Sequence, residues 1–423
     1  MLHIDDIFFS EAEFRARVGH AAEAIGLGSR ARGRYAVCFP ETIDWLSLFF
    51  ALKEADCTVL PLHPSTPLAA ARRMAQEAGC HALFFHRLTP ELLPDPGAPE
   101  TAGHLLQMSS GTTGAPKIIA RSWGEIAGEI ASYTGHFRAP EAMTPVIACP
   151  TTHSYGLICG LLVALHRGQV PVILNVDNPK YLLKRLRDIE RPLLYSSPVI
   201  LHTLAKLLPE DAPLHALMSS GTVLPDPWFA AIRRKTRHMF QQYGCSEAGC
   251  IAINGDVQAS NDMGIVLPHH RLEAGAGAYA PAEIILRREG GDIFTRDLGY
   301  LKSDGSLVFV ARLDDTINVS GLNVYPQQVE DVVMGFPGVT DAIVFRKADA
   351  FAGERVGLVF TATEAVSLQS LRAWCRSHLA AHQQPSEIRQ TASLPRKANG
   401  KISRREVAEL YQSGALLPLE AAQ

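Results

Sequence analysis

The chain has 423 residues, enough for two or three domains with sizeable cores. Hydrophobic residues make up 47% and charged residues 20%, as in an ordinary globular protein, and a net charge of −3 gives no basis for non-specific binding to nucleic acid or to an anionic membrane. The eight cysteines (38, 57, 80, 149, 159, 245, 250 and 375) form no CxxC pair, which argues against a disulfide framework and a zinc site and fits a reducing cytosol.

Asp5, Asp6 and Glu11 stand where a signal peptide would need an apolar run, so a cytoplasmic protein is expected. Residues 10–26 have helical spacing (Phe14, Val18, Ala21, Ile25), and Tyr35 to Phe39 read as a buried strand. A helix over 41–56, a strand at 58–60, a helix over 67–79 capped by Ser65 or Thr66, and a strand at 81–85 follow. This alternation predicts a parallel sheet covered on both faces. Residues 88–103 contain Pro and Gly and are expected to be a loop.

Next comes Ser109-Ser110-Gly111-Thr112-Thr113-Gly114-Ala115-Pro116-Lys117, between an apolar run (Leu105, Leu106, Met108) and a helix-like segment from Ser122. Two glycines let the backbone approach a ligand closely. Successive N–H groups, four hydroxyls and Lys117 would suit a polyphosphate. Taken alone, the stretch also suits a polar surface turn. It is not a Walker A loop, because Ile118 follows the lysine.

The alternation then resumes. Strands are predicted at 145–149, 170–174, 192–195, 214–218 and 237–241, with helices over 122–135, 154–166, 178–190, 198–208 and 226–235. The apolar stretch from Tyr155 to Leu174 is interrupted by His166, Arg167 and Gln169, so no membrane insertion is expected. After 250, short apolar alternations suggest a small β subdomain. Gly275 to Ala280 nominally fits a dinucleotide fingerprint, but Pro281 follows where a helix should begin. From about 314 a separate domain reads as a helix from Pro326 to Met334, strands near 340–346 and 355–361, a helix over 367–380 and a terminal helix after Lys401.

The phosphate-loop stretch resembles, nearly residue for residue, that of the adenylate-forming superfamily of acyl- and aryl-CoA synthetases, peptide-synthetase adenylation domains and beetle luciferases. Further stretches resemble the superfamily's motifs in its order. Pro150 to Gly156 carries His153 at the acyl pocket and phosphate side; it offers no acid to pair a substrate ammonium, which argues against an α-amino acid. Ser219-Ser220-Gly221 resembles the loop that contacts adenine through its backbone. Gln242-Tyr243-Gly244-Cys245-Ser246-Glu247 lacks the glycine at 248 that a hydrolase nucleophile elbow requires. It fits the superfamily motif in which Tyr243 stacks on adenine, Ser246 meets the α-phosphate and Glu247 holds Mg²⁺, with Gly244 among the ATP-binding residues. Asp297 is the candidate for the ribose hydroxyls, while Asp304-Gly305 reads as a hairpin turn. Arg312 would bind ribose or phosphate, Asp314 would be the hinge, and Gly321 would line the passage for a pantetheine arm. The usual glycine before the arginine is Ala311, a departure. Asn323-Val324-Tyr325-Pro326 followed by Glu330 is more like CoA synthetases than adenylation domains. Pro395 to Ile402 resembles the motif in which Lys401 bridges the substrate carboxylate and the α-phosphate.

The resemblance implies a large N-terminal α/β domain of doubly wound sheets with a small β subdomain (1–313) and a small mobile α+β domain (314–423). It implies an AMP-forming acid–thiol ligase using ATP and Mg²⁺. A small carboxylic acid, aryl or fatty, would become an acyl-adenylate and pass to CoA, or to the phosphopantetheine of an acyl carrier protein. Tyr155, Cys159, Ser196 and Ser219 are the loose candidates for the acid pocket. A non-catalytic binding protein on the same fold is the rival, and the presence of Lys117, Glu247, Asp297 and Lys401 together weighs against it. The segments before the phosphate loop, and between it and Tyr243, look shorter than is usual for the superfamily.

Overall fold

The fold is taken from a computed structural model, which describes residues 1–26, 33–94, 97, 101–109, 117–349, 351–395 and 402–416. The expected α/β architecture is present. A six-stranded sheet runs Glu91–Leu92, Ala82–Phe85, Arg34–Cys38, Thr58–Pro61, His104–Ser109, Lys117–Ser122 from edge to edge. Its four middle strands are parallel and both edge strands antiparallel. Ala36, Leu60 and Leu83 face Ala71 and Ala75 of the helix Leu68–Glu77 on one side, and Tyr35, Val37 and Val59 face Trp45, Leu48 and Phe49 of the helix Thr42–Glu54 on the other. Strands buried on both faces need continuous apolar runs, which is what made them readable.

A thirteen-stranded sheet holds the middle of the chain. Its parallel block orders Leu2–Ile4, Val172–Ile173, Thr144–Ala148, Pro192–Ser196, Leu214–Ser219 and Thr236–Cys245. At Thr236–Cys245 the pairing reverses, and Gly249–Asn254, Asp262–Val266, Ser306–Arg312, Ile293–Leu301, Ala282–Arg287 and Arg271–Glu273 continue it antiparallel. Gly305, at φ +84°, makes the turn into Ser306, whose N–H donates to the Asp304 carboxylate at 2.9 Å, as expected of that dipeptide.

A third sheet of five strands (Ile317–Val319, Leu322–Val324, Val339–Asp349, Gly353–Ala362, Glu387–Gln390) forms the smaller C-terminal domain. The helices Pro326–Met334 and Leu368–His378 share one core with it, and Val407 of Arg404–Gln412 closes another with Phe345 and Val359.

One pairing is added to the expected elements and four readings are corrected. The N terminus makes a hairpin, Leu2–Ile4 with Ile7–Phe9, that joins the large sheet through a strand some 170 residues away; no local pattern signals such a pairing. The helix Leu68–Glu77 is entered through Pro67 with no side-chain cap, so neither Ser65 nor Thr66 caps it. Glu91–Leu92 is a short strand inside the expected loop. Lys117 opens a strand, Lys117–Ser122, before the helix Trp123–His136 begins at the Ser122 cap. The helix expected over 154–166 is a π-helix over Tyr155–Leu162 continued by Val163–His166; an apolar run buried all round does not reveal the hydrogen-bond period.

The two domains touch where the Asp226 N–H, at the start of the helix Asp226–Arg234, donates to the Asp331 carboxylate of Pro326–Met334 at 3.0 Å. Burial pushes the Asp331 carboxyl up to about 7, and the charges of Asp226 and Glu330 push it the same way, against bonds from the Asp226 N–H and Gln327. A carboxyl raised by docking favours docking while protonated. The contact should therefore weaken as pH rises from about 4 to about 7, by at most about 1.4 kcal/mol per unit, and level off above. The protection factor of the Asp226 amide, exchange rate corrected for the intrinsic rate at each pH, should fall across that window, and Asp331→Asn should abolish that fall.

Candidate active site

Strand ends of the large sheet build one floor. Ala148, Ser196, Ser219 and Gln241 stand in register as neighbours across four parallel strands, at the carboxyl ends where ligands bind in such sheets. The Tyr155 hydroxyl donates to the Met218 carbonyl at 2.6 Å, and the Ser196 hydroxyl to the Ala148 carbonyl at 2.8 Å. Tyr155, Ser196 and Ser219 are thus brought together. His153 lies exposed just before them, its carbonyl accepting the Leu157 N–H at 2.9 Å. Cys159 points elsewhere: its thiol is buried 4.0 Å from the Glu129 carboxylate.

Beside this floor, Tyr243, Asp297 and Arg312 meet. The buried Tyr243 hydroxyl donates to Asp297 Oδ2 at 2.7 Å, and Arg312 Nε lies 3.2 Å from Asp297 Oδ1. Burial, and then the Asp297 charge, push the phenol well above its usual range, so it remains a donor at neutral pH. The Ser220 hydroxyl donates to the Gln242 carbonyl at 3.2 Å, and Gly221 has φ +98° with open space where a side chain would start. Gly244 is crowded: a Cβ there would meet the Gly249 carbonyl at 2.1 Å. Ser246 and Glu247 occupy the turn between Thr236–Cys245 and Gly249–Asn254 and are half-buried.

Ser110, Gly111, Thr112, Thr113, Gly114 and Lys401 lie outside the described residues. Ser109 and Lys117, which flank the loop, are paired across antiparallel strands. Asp314 sits in a short 3₁₀ turn, with Arg296 Nη2 2.7 Å from its carboxylate. Gly321, at φ +87°, lies exposed at a hairpin tip, its N–H held by Asn318 at 2.9 Å.

Sequence reasoning missed a ladder on the helix Trp123–His136. Glu125 pairs with Arg288 at 2.5 Å, and Arg288 reaches the Glu247 carbonyl at 3.5 Å. Glu129 accepts the Cys250 N–H at 2.8 Å and pairs with Arg121 at 2.7 Å. The Tyr133 hydroxyl donates to Gln242 at 3.0 Å. Positions 125, 129 and 133 share one helix face, and the available signal was Glu129 standing among Ile126, Ile130 and Tyr133, where a lone charge needs a partner.

Among the described residues no group of three or more His, Cys, Asp and Glu side chains could hold a metal. Glu247 offers a partly open carboxylate. One hard oxygen ligand fits Mg²⁺, which keeps most of its waters and leans on substrate phosphates. No helix among the described residues is long and apolar enough to cross a membrane.

Comparison with known proteins gives the family and agrees with the fold. The AMP-binding enzyme family matches residues 94–274, and the AMP-binding enzyme C-terminal domain matches residues 328–401. A 3,4-dihydroxybenzoate–[aryl-carrier protein] ligase of Bacillus anthracis is 38% identical over 96% of this chain and 98% of its own. An oxalate–CoA ligase of Arabidopsis thaliana is 26% identical over 89% of this chain and 88% of its own. In fold, the O-succinylbenzoate coenzyme A synthetase of Bacillus subtilis in complex with AMP superimposes with a TM-score of 0.83, at 20% identity, over 96% of this chain and 94% of that one.

Proposed function

The chain belongs to the AMP-binding enzyme family of adenylate-forming ligases, and from that premise we propose that it activates an aryl carboxylic acid and hands the acyl group to the phosphopantetheine thiol of a carrier protein. What carries the reading is 38% identity across 96% of the chain to a ligase whose acceptor is an aryl-carrier protein. The meeting of Tyr243, Asp297 and Arg312 beside the row of Ala148, Ser196, Ser219 and Gln241 supports it.

In this reading the acid lies over the strand ends near His153, Tyr155, Ser196 and Ser219, and its carboxylate attacks the α-phosphorus of ATP. Pyrophosphate leaves and an acyl-adenylate remains. Such phosphoryl chemistry needs positioning and charge neutralisation more than covalent help. Tyr243 takes the adenine face, with Ser220 and Gly221 along its edge. Asp297 accepts from the ribose hydroxyls, and Arg312 holds it oriented. Residues 109–114 and Lys117 cradle the phosphates with Gly244 and Ser246, and Mg²⁺ held through Glu247 would supply charge neutralisation there. Lys401 binds both reacting groups. The smaller domain, taken to begin at Asp314, then turns and the thiol enters past Gly321.

CoA as acceptor is the second reading. Asn323-Val324-Tyr325-Pro326 with Glu330 favours it, as does the similarity to an oxalate–CoA ligase. Pyrophosphate release with ATP and Mg²⁺ across aryl, fatty and amino acids, with hydroxylamine as trap, tests the proposal. Release with aryl acids, quickened by a holo carrier protein and not by CoA, is expected. Quickening by CoA alone would install the second reading. No release with any acid, with ATP still bound, would indicate a non-catalytic binder.

A further inference from the structure

The buried Arg121–Glu129 pair joins two strands that the site depends on. Arg121 lies on Lys117–Ser122, the strand that Lys117 opens. Glu129 lies on the following helix, and its side chain is 1% exposed against 5% for Arg121. One carboxylate oxygen pairs with Arg121 Nη2 at 2.7 Å; the other accepts the Cys250 N–H at 2.8 Å. Cys250 stands three residues after Glu247, and its carbonyl is held in turn by His270 Nε2 at 3.0 Å. Gly249, at φ +77°, presses on the pair: a Cβ there would lie 2.3 Å from Glu129 Oε2 and 2.5 Å from Arg121 Nη1. The backbone at 249–250 is thus fixed from below by one carboxylate. On the surface, Glu125 and Arg288 hold the Glu247 carbonyl to the same helix.

We propose that Glu129 is a positioning residue that sets the Ser246–Glu247 turn at a fixed height against the strand beginning at Lys117, and so sets the distance between the metal-binding carboxylate and the phosphate-binding lysine. The inference rests on the metal role given to Glu247 above. A buried carboxylate suits the task because its partners are a backbone N–H and a planar guanidinium, which together leave it one orientation. Functional groups need such support, since a displacement of about 1 Å can cost on the order of 10²-fold in rate.

Two double variants isolate the bond. Arg121→Met with Glu129→Leu removes both buried charges and the acceptor for Cys250. Arg121→Met with Glu129→Gln removes the charges and keeps an acceptor. Replacing a buried pair by apolar residues of similar volume is commonly tolerated, so the Leu variant should fold; the Gln variant should fold because its amide still accepts the Cys250 N–H and no charge is left buried. Calorimetric ATP binding, with Mg²⁺ and with EDTA, is the readout. The Leu variant is expected to lose about tenfold of the affinity that Mg²⁺ adds, with binding in EDTA unchanged, while the Gln variant stays within about threefold of the parent. Should the Leu variant fail to fold, Gly249→Ala, which pushes into the pair, should give the same selective loss. Parent-like Mg²⁺ dependence in folded Leu and Gly249→Ala variants, or equal losses with and without Mg²⁺, would overturn the proposal. Glu247→Gln is the control. If it loses the Mg²⁺ gain while the Leu variant keeps it, only the positioning role falls. If it keeps the gain, the metal reading falls and takes this one with it.

Discussion

Acid-dependent pyrophosphate exchange is expected to fall by about 10²–10³-fold in Lys401→Ala, while thioester formation from supplied acyl-adenylate stays within about twofold of the parent. Negative charge gathers on the carboxylate and the α-phosphate together in the first half-reaction, and a positioned cation lowers that barrier. Losing one such donor typically costs about 3–4 kcal/mol. The second half-reaction has no need of that cation, because the thiol attacks the acyl carbon of a mixed anhydride already made and AMP leaves. The two assays share enzyme, temperature and acid, so their ratio is insensitive to partial unfolding. A fall of similar size in both would remove Lys401 from the chemistry and leave it a structural residue.

The second large effect is on stability. Glu330 is 2% exposed and sits at the crossing of three elements of the smaller domain. Its Oε1 accepts the Val344 N–H at 2.7 Å, and its two oxygens take the Arg404 guanidinium, with Arg404 Nη2 to Glu330 Oε2 at 3.0 Å. Arg404 also donates to the Val344 carbonyl at 2.8 Å and lies 3.3 Å from the Asp315 carboxylate. Glu330→Ala leaves that guanidinium buried with a weaker, more distant counter-charge and strips a strand N–H of its acceptor. A loss of about 3–5 kcal/mol is expected, as for other buried pairs broken on one side. Calorimetry should show the smaller domain melting earlier than the larger, with adenylation lost at temperatures where ATP still binds. Restoring neutrality with Glu330→Leu and Arg404→Met together should recover most of the loss. A single-site Tm unchanged within a degree would refute the account.

The sequence reveals most where physics is local. Continuous apolar runs such as Tyr35–Cys38 and Leu193–Tyr195 announce strands covered on both faces, and the helix start expected at Ser122 is formed with Glu125 as a capping box. The same holds for site residues carried by short motifs: Tyr243 and Asp297 are 54 positions apart and still readable, because each has its own recognisable neighbours. What was illegible depends on pairing at a distance. The hairpin at Leu2–Phe9 is too short to announce itself and is stabilised by Val172–Ile173. Glu129 carries no motif, and its meaning comes from Cys250, 121 residues on. The turn from strand to helix at Tyr155 showed only its apolarity, since the seven consecutive buried residues Gly156–Leu162 leave no stripe from which to measure a period.

The in-register row of Ala148, Ser196, Ser219 and Gln241 has a consequence for how such a protein can change over generations. Neighbouring strands are spaced about 4.8 Å apart by their backbone hydrogen bonds, whatever side chains they bear. On the proposed reading, the place where an acid meets the nucleotide is therefore inherited with the sheet, and the shape of the acid accepted is written in side chains. On that reading, mutation at positions such as Ser196 or Ser219 would exchange one acid for another and leave the backbone frame of the reaction in place.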